Sequence, residues 1–253
     1  MRSAIQVLLV SALAVLGGVP CTADVDHAAW DGLLRRYVNE EGRVSYVAAL
    51  AASDSVLPDY LVSVATAQPD QFASQEEQLA FWINAYNACV FKGVLDRYPV
   101  QSVKDIRGFF DKIRYRVANQ DLTLNQIEAK GRALGDWRIH FAVVCAATGC
   151  PVLRSEAYVP ERVSAQLDAQ VNRYLVDEVH GMRVEYPSKT LWVSKIFKWY
   201  AKDFVPAGPF TAKSLWAVIG GFVPQDKPLL PVPEQFSLKF LDYDWSLNER
   251  SVP

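Results

Sequence analysis

The sequence predicts an α+β fold: a single globular domain, helical in its first half, with a mixed sheet in its second half. Three observations carry this. Apolar runs with helical spacing crowd the chain up to Leu95, whereas short alternating runs bounded by turn residues begin only at Lys112. Helices segregated from strands along a chain are the mark of the α+β class. The composition, 51% hydrophobic and 21% charged, describes a chain that buries a core and is not disordered.

The first element is an export signal. Arg2 supplies a positive start, Ala4 to Leu16 is almost wholly apolar, and Cys21-Thr22-Ala23 offers a small-residue cleavage region. The apolar core is too short to span a bilayer comfortably and has signal-peptide flanks. Cleavage is expected after Ala23, leaving residues 1–23 as signal peptide and 24–253 as the single domain, in a periplasm or secreted. Pro20 and Gly18 fit a lipid-anchoring motif around Cys21 poorly. Charged residues interrupt every later apolar run, so no integral membrane segment is expected after cleavage. The net charge of −2 gives no electrostatic case for nucleic acid.

Helical spacing opens at Trp30, Leu33, Leu34 and Val38, and Val44 to Ala67 reads as short helices broken at Ser53-Asp54 and Pro58. Ser74-Gln-Glu-Glu77 has capping-box spacing and begins the strongest helix of the chain. That helix is apolar nearly all round and therefore central. Asn84 and Asn87 interrupt it, three apart and on one face. Buried amides demand partners; these two either pin neighbouring backbone or line a polar pocket. A hairpin follows: Ile113-Arg-Tyr-Arg-Val117 alternates, Asn119-Gln120-Asp121 turns and Leu122-Thr123-Leu124 returns. Next come a short helix with Ile127 and Glu128, a strand from Trp137 to Cys145, and a helix from Gln166 to Val176. Leu191-Trp192-Val193 reads as a strand meeting Ser194, an N-cap for the next helix, and a proline-rich stretch from Pro224 to Pro233 reads as extended packing.

Chemistry concentrates between Trp137 and Arg154. There His140 precedes Cys145 and Cys150, in a chain with three histidines and four cysteines. Removal of Cys21 leaves Cys89, Cys145 and Cys150, and an odd count after export means a free thiol or a link to another chain. Cys89, in an apolar helical run, reads as a buried small hydrophobe. Cys145 and Cys150 are then either a loop disulfide or a reactive pair. In a straight strand, His140 and Cys145 point to opposite faces with α-carbons about 16 Å apart, so they meet only if the chain bends. Glu128 and Glu156 are the acids available to orient His140. The spacing matches no common zinc knuckle, and C-x4-C is not the thioredoxin C-x2-C. His27 and His180 sit in polar, loop-like contexts and read as solvent-facing. The aromatic group Trp192, Phe197, Trp199, Tyr200 and Phe204 reads as core more readily than as a ligand platform.

Four strings occur in the same order: F-W-I-N-A-Y-N-A from Phe81, Ile127-Glu128, H-F-A-V-V-C-A-A-T-G-C-P-V-L-R from His140, and S-K-I-F-K-W-Y-A-K-D-F from Ser194. They resemble the domain-of-unknown-function family numbered 547, found in bacteria and plants, from about Trp30 to Trp245. The resemblance singles out Asn84, Tyr86, Asn87, Glu128, His140, Cys145, Pro151 and Arg154, with Cys150 matching the bacterial form. It implies a distant likeness to papain-like or transglutaminase-like cysteine hydrolases. Two departures stand out: Ala129 occupies a position where the family often has His, and the His-before-Cys order reverses that of papain.

Two expectations follow. One is an exported cysteine-dependent hydrolase or acyl transferase acting on an unidentified amide or peptide. Cys145 or Cys150 would be its nucleophile, His140 its base and Glu128 the orienting acid. Asn84, Asn87, Tyr86 and Arg154 would contact substrate, without metal or cofactor. The other is a non-catalytic binding or scaffold domain with a Cys145–Cys150 disulfide.

Overall fold

A computed structural model describes residues 25–52, 55–223 and 236–250. The expected export signal, with Cys21, and the proline-rich stretch 224–233 lie outside the described residues. Three helices open the fold: α1 (Ala28–Tyr37), α2 (Tyr46–Ala52) and α3 (Val56–Thr66). Pro58 lies inside the first turn of α3 and does not break it. A helix tolerates proline there because the missing N–H would have no partner anyway.

All three pack on α4 (Gln75–Leu95), where every residue from Leu79 to Phe91 is buried. Ser74 caps it by accepting from Glu77 N at 3.1 Å. The Glu77 carboxylate reaches back one residue further than a capping box would, accepting from Ala73 N at 2.6 Å. The hairpin β1 (Arg114–Val117) and β2 (Gln120–Thr123) turns at Ala118-Asn119, both with positive φ as a two-residue turn requires. Thr123 then starts α5 (Leu124–Arg132) with a full capping box to Gln126.

The second half holds α6 (Val163–Leu175), β3 (Met182–Glu185), β4 (Thr190–Val193), α7 (Lys195–Trp199), α8 (Ala201–Phe204), α9 (Ala212–Ile219) and β5 (Ser237–Phe240). Strand β4 pairs antiparallel with β3 and parallel with β5, so this sheet is mixed. The protein is α+β as expected. No single helix among the described residues is long and apolar enough to cross a membrane.

After β5 the chain returns across the first half. Asn248 N donates to Ala146 O at 3.0 Å, Leu247 N to Gln101 O at 2.8 Å, and Val44 N to Asn248 O at 2.9 Å. This return, residues 241–250, straps the two halves together over the cysteine loop.

Two expectations are corrected. Trp137 to Cys145 is not a strand: Trp137–Phe141 is a 3-10 helix, begun by Asp136, whose side chain accepts from Arg138 N at 3.0 Å. Ile139 and Ala142 pack with Leu79, Ala80 and Ile83 of α4, while Phe141 packs with Leu191, Phe197 and Phe204. A segment buried on both sides is apolar throughout, and periodicity cannot tell such a strand from a helical turn. His27 is not solvent-facing either. It is buried, with Nδ1 2.8 Å from the Tyr60 hydroxyl.

Candidate functional site

Three side-chain amides shape the ground around the cysteines. Asn87 Nδ2 donates to Ala142 O at 2.9 Å, and Val144 N donates to Asn87 Oδ1 at 2.9 Å. Asn84 clasps Tyr158 in the same two-way fashion, at 2.7 Å to its carbonyl and 3.0 Å from its N–H. Gln170 Nε2 donates to Phe141 O at 3.0 Å and to Val152 O at 2.7 Å. The asparagines therefore pin backbone, the first of the two readings above, and neither lines the cavity that the cysteines border. Arg154 is also absent from the cavity lining; it pairs with Glu156 and lies 6.0 Å over the Tyr158 ring.

Pinned by Asn87, the chain leaves the 3-10 helix and turns at Ala146, whose φ is +61°. The turn brings Cys150 back to Cys145, and the two form a disulfide with α-carbons 6.4 Å apart. Neither sulfur is a free nucleophile in this state. Cys145 N donates to Cys150 Sγ at 3.1 Å, and the Tyr243 hydroxyl donates to Cys150 Sγ at 3.0 Å. Cys89 is a free, fully buried thiol in α4, as expected, and burial pushes its pKa up.

Gly149 matters for close approach more than for its torsion. A Cβ there would sit 2.8 Å from Asp244 N and 3.1 Å from Asp244 O. Gly149 N also donates to Asp244 O at 2.8 Å, which seats the strap carrying Tyr243 and Trp245. Gly149→Ala is expected to cost about 1–3 kcal/mol of stability by overpacking. Thermal denaturation would show the loss, together with a shifted tryptophan emission as Trp245 moves; an unchanged melting temperature would show that the strap is not seated here.

His140 Nε2 lies 2.9 Å from Asp203 Oδ2, so Asp203 takes the orienting place expected of Glu128. Arg132 forks onto the same carboxylate, Nε at 2.8 Å and a terminal nitrogen at 3.1 Å. Burial opposes ionisation of Asp203, but the hydrogen bonds from Arg132 and His140 outweigh it and hold its pKa below the usual range. Burial lowers the pKa of His140 to about 4, against the pull of Asp203. The imidazole is therefore neutral at pH 7, its proton on Nε2 toward Asp203, and Nδ1 is buried without a partner. The Tyr200 ring stacks on His140 at 4.0 Å between centroids, with the Arg132 guanidinium 4.7 Å from the Tyr200 centroid.

Glu128, 8% exposed, belongs to this group by another route. Burial raises its pKa, partly offset by the nearby Tyr200 hydroxyl and Arg132. Glu128, His140, Cys145 and Cys150 all border one cavity of about 340 Å³. Tyr86 from α4, Phe110, and Trp199 and Tyr200 at the end of α7 supply its walls, and Tyr243 and Trp245 of the strap complete them. No group of three or more His, Cys, Asp or Glu among the described residues is placed to hold a metal ion.

Residues 70–175 match the family described as "Protein of unknown function, DUF547". Comparison with curated proteins and with solved structures gave no match. The DUF547 segment contains α4, α5, the 3-10 helix and the cysteine loop, but ends before Asp203, Tyr243 and Trp245. Thus part of the cavity wall, and the partner of His140, come from outside the matched segment.

Those outside residues are the ones that sequence reasoning missed. Asp203 lies in the Trp199-Tyr-Ala-Lys-Asp-Phe204 string and was open to reading as a polar residue in a core-facing helix. The five aromatics read as core divide: Phe197 and Phe204 are buried, while Trp199 is 47% exposed and Tyr200 faces the cavity.

Proposed function

We propose that the chain is an exported, non-catalytic domain that binds a small organic molecule in the cavity floored by the Cys145–Cys150 disulfide. The observation that carries this reading is the bridge itself, which ties up both sulfurs in a cavity walled mainly by aromatic rings. Concave, largely apolar sites with a few convergent polar groups are the usual form of ligand pockets. The charged, apolar and small-residue pattern of residues 1–23 supports export, and an oxidising compartment would maintain the bridge.

Ligand-observed NMR with a set of soluble aromatic fragments tests it. Saturable binding is expected, and Trp199→Ala should remove most of it. Trp199 is 47% exposed and packs on Tyr243 and Trp245, so this change should cost about 1–3 kcal/mol, and a thermal melt would verify that the variant is folded. Absence of any saturable binder, or binding indifferent to Trp199→Ala, would overturn the reading.

One observation favours a second reading, a cysteine-dependent hydrolase or acyl transferase acting on amides or peptides. His140, held by Asp203 from outside the cavity lining, borders the same cavity as both sulfurs. Reduction would free a thiol, with His140 as base and Asp203 orienting it. Two features rank this reading second: the bridge, and an imidazole whose pKa of about 4 lies well below the operating pH that suits a general base.

A further inference from the structure

We infer that the ligand of this cavity is an organic cation, an ammonium-bearing molecule whose charge meets Glu128 inside a cage of aromatic rings. The inference rests on the binding reading and names its ligand class. Trp199, Tyr243 and Trp245 form a mutual cluster, with centroids 4.9 Å apart for Trp199–Tyr243, 4.7 Å for Tyr243–Trp245 and 5.9 Å for Trp199–Trp245. Tyr86, Phe110 and Tyr200 border the same space from other segments. Ring faces attract cations through their quadrupole, most strongly where water is excluded.

Charge points the same way. Among the described residues that line the cavity, Glu128 is the single carboxylate, and no lysine or arginine lines it. The nearby Arg132 guanidinium is forked onto Asp203 and not onto Glu128. On the wall, the Tyr243 hydroxyl is already committed to Cys150. The Glu128 carboxylate remains as an acceptor on the cavity wall. An anionic ligand would meet a buried carboxylate of like charge. A neutral one would seal that carboxylate away from water without replacing the lost hydration. A cation answers both the rings and the charge.

The test compares three probes of similar size and opposite charge character on the full chain with its disulfide intact: benzyltrimethylammonium, benzyl alcohol and benzoate. Calorimetry and tryptophan fluorescence read the binding. The ammonium is expected to bind roughly tenfold tighter than the alcohol, the scale of a desolvated cation–π contact, with benzoate weakest. Glu128→Gln should shrink the ammonium preference to within about threefold while benzyl alcohol binding persists. Should Glu128→Gln fail to fold, Trp199→Ala provides the same comparison on an exposed ring and should weaken the ammonium more than the alcohol. Equal or tighter binding of benzyl alcohol would overturn the cation inference and leave the binding reading intact. Saturable binding of none of the three would overturn both. Ammonium preference unchanged in both variants would place the cation elsewhere and overturn the assignment to this cavity.

Discussion

Acidification from pH 6.5 to about 4 is expected to strip several kcal/mol from the stability of the folded chain, because two histidines are buried in neutral form. Burial lowers the pKa of His27 to about 4, opposed by Asp26, and that of His140 to about 4, opposed by Asp203. Each unfolded histidine titrates near 6.5, so between the two values the unfolded state binds more protons than the native one. Stability then rises with pH across that window, is complete above about 6.5, and is lost as pH falls toward 4. The full effect is about 3 kcal/mol per histidine as an upper bound. Glu128 works in the opposite sense: its raised pKa stabilises the fold at low pH, and that contribution fades as pH rises through it. Urea midpoints measured from pH 7 to pH 4 should therefore fall steeply, and less steeply in His27→Gln or in His140→Gln. A slope identical in both variants and in wild type would refute the assignment.

Asn87→Ala is expected to cost about 2–5 kcal/mol, since it orphans two buried backbone groups at about 1–3 kcal/mol each. The groups are Ala142 O and Val144 N, both 2.9 Å from the Asn87 amide. Both Ala142 and Val144 are buried. The loss should be local as well as global, because this clamp sets where the chain leaves the 3-10 helix and hence where Cys145 begins its turn. Hydrogen exchange at Val144 should accelerate in the variant beyond what its global destabilisation explains. Asn172→Ala, on the exposed side of α6, is the control and should change stability by less than about 0.5 kcal/mol. A loss under about 1 kcal/mol in Asn87→Ala would show that the clamp is dispensable.

Much of the fold was legible because local signals agreed with tertiary ones. Ser74 caps α4 where the spacing to Glu77 placed it, and Ser194 caps α7. The hairpin near Asn119 and the strand at Leu191 follow from alternation and turn residues. The segment from Trp137 to Cys145 was not legible as a helix, because burial on two sides erases period and leaves only hydrophobicity. Strand parity then separated His140 from Cys145, and the observed 3-10 geometry removes that objection. Among candidate site residues, Tyr86, Glu128, His140, Cys145 and Cys150 do border one cavity. Asn84 and Asn87 were legible as buried amides in need of partners, but whether those partners are backbone or ligand depends on tertiary placement. Asp203 escaped because no sequence spacing relates residues 63 apart. The strap was equally hidden: the approach of Asp244 to Gly149 exists only once both halves are folded.

Thiol counting on the native protein tests the Cys145–Cys150 bridge most directly. The chain would be alkylated with iodoacetamide before and after denaturation, without reductant, and mapped by mass spectrometry. The predicted result is a linked Cys145–Cys150 peptide, with no alkylation of either residue and Cys89 labelled only after denaturation. Selective labelling of Cys145 or Cys150 in the native state at neutral pH, abolished by His140→Ala, would contradict it and put a cysteine nucleophile in its place.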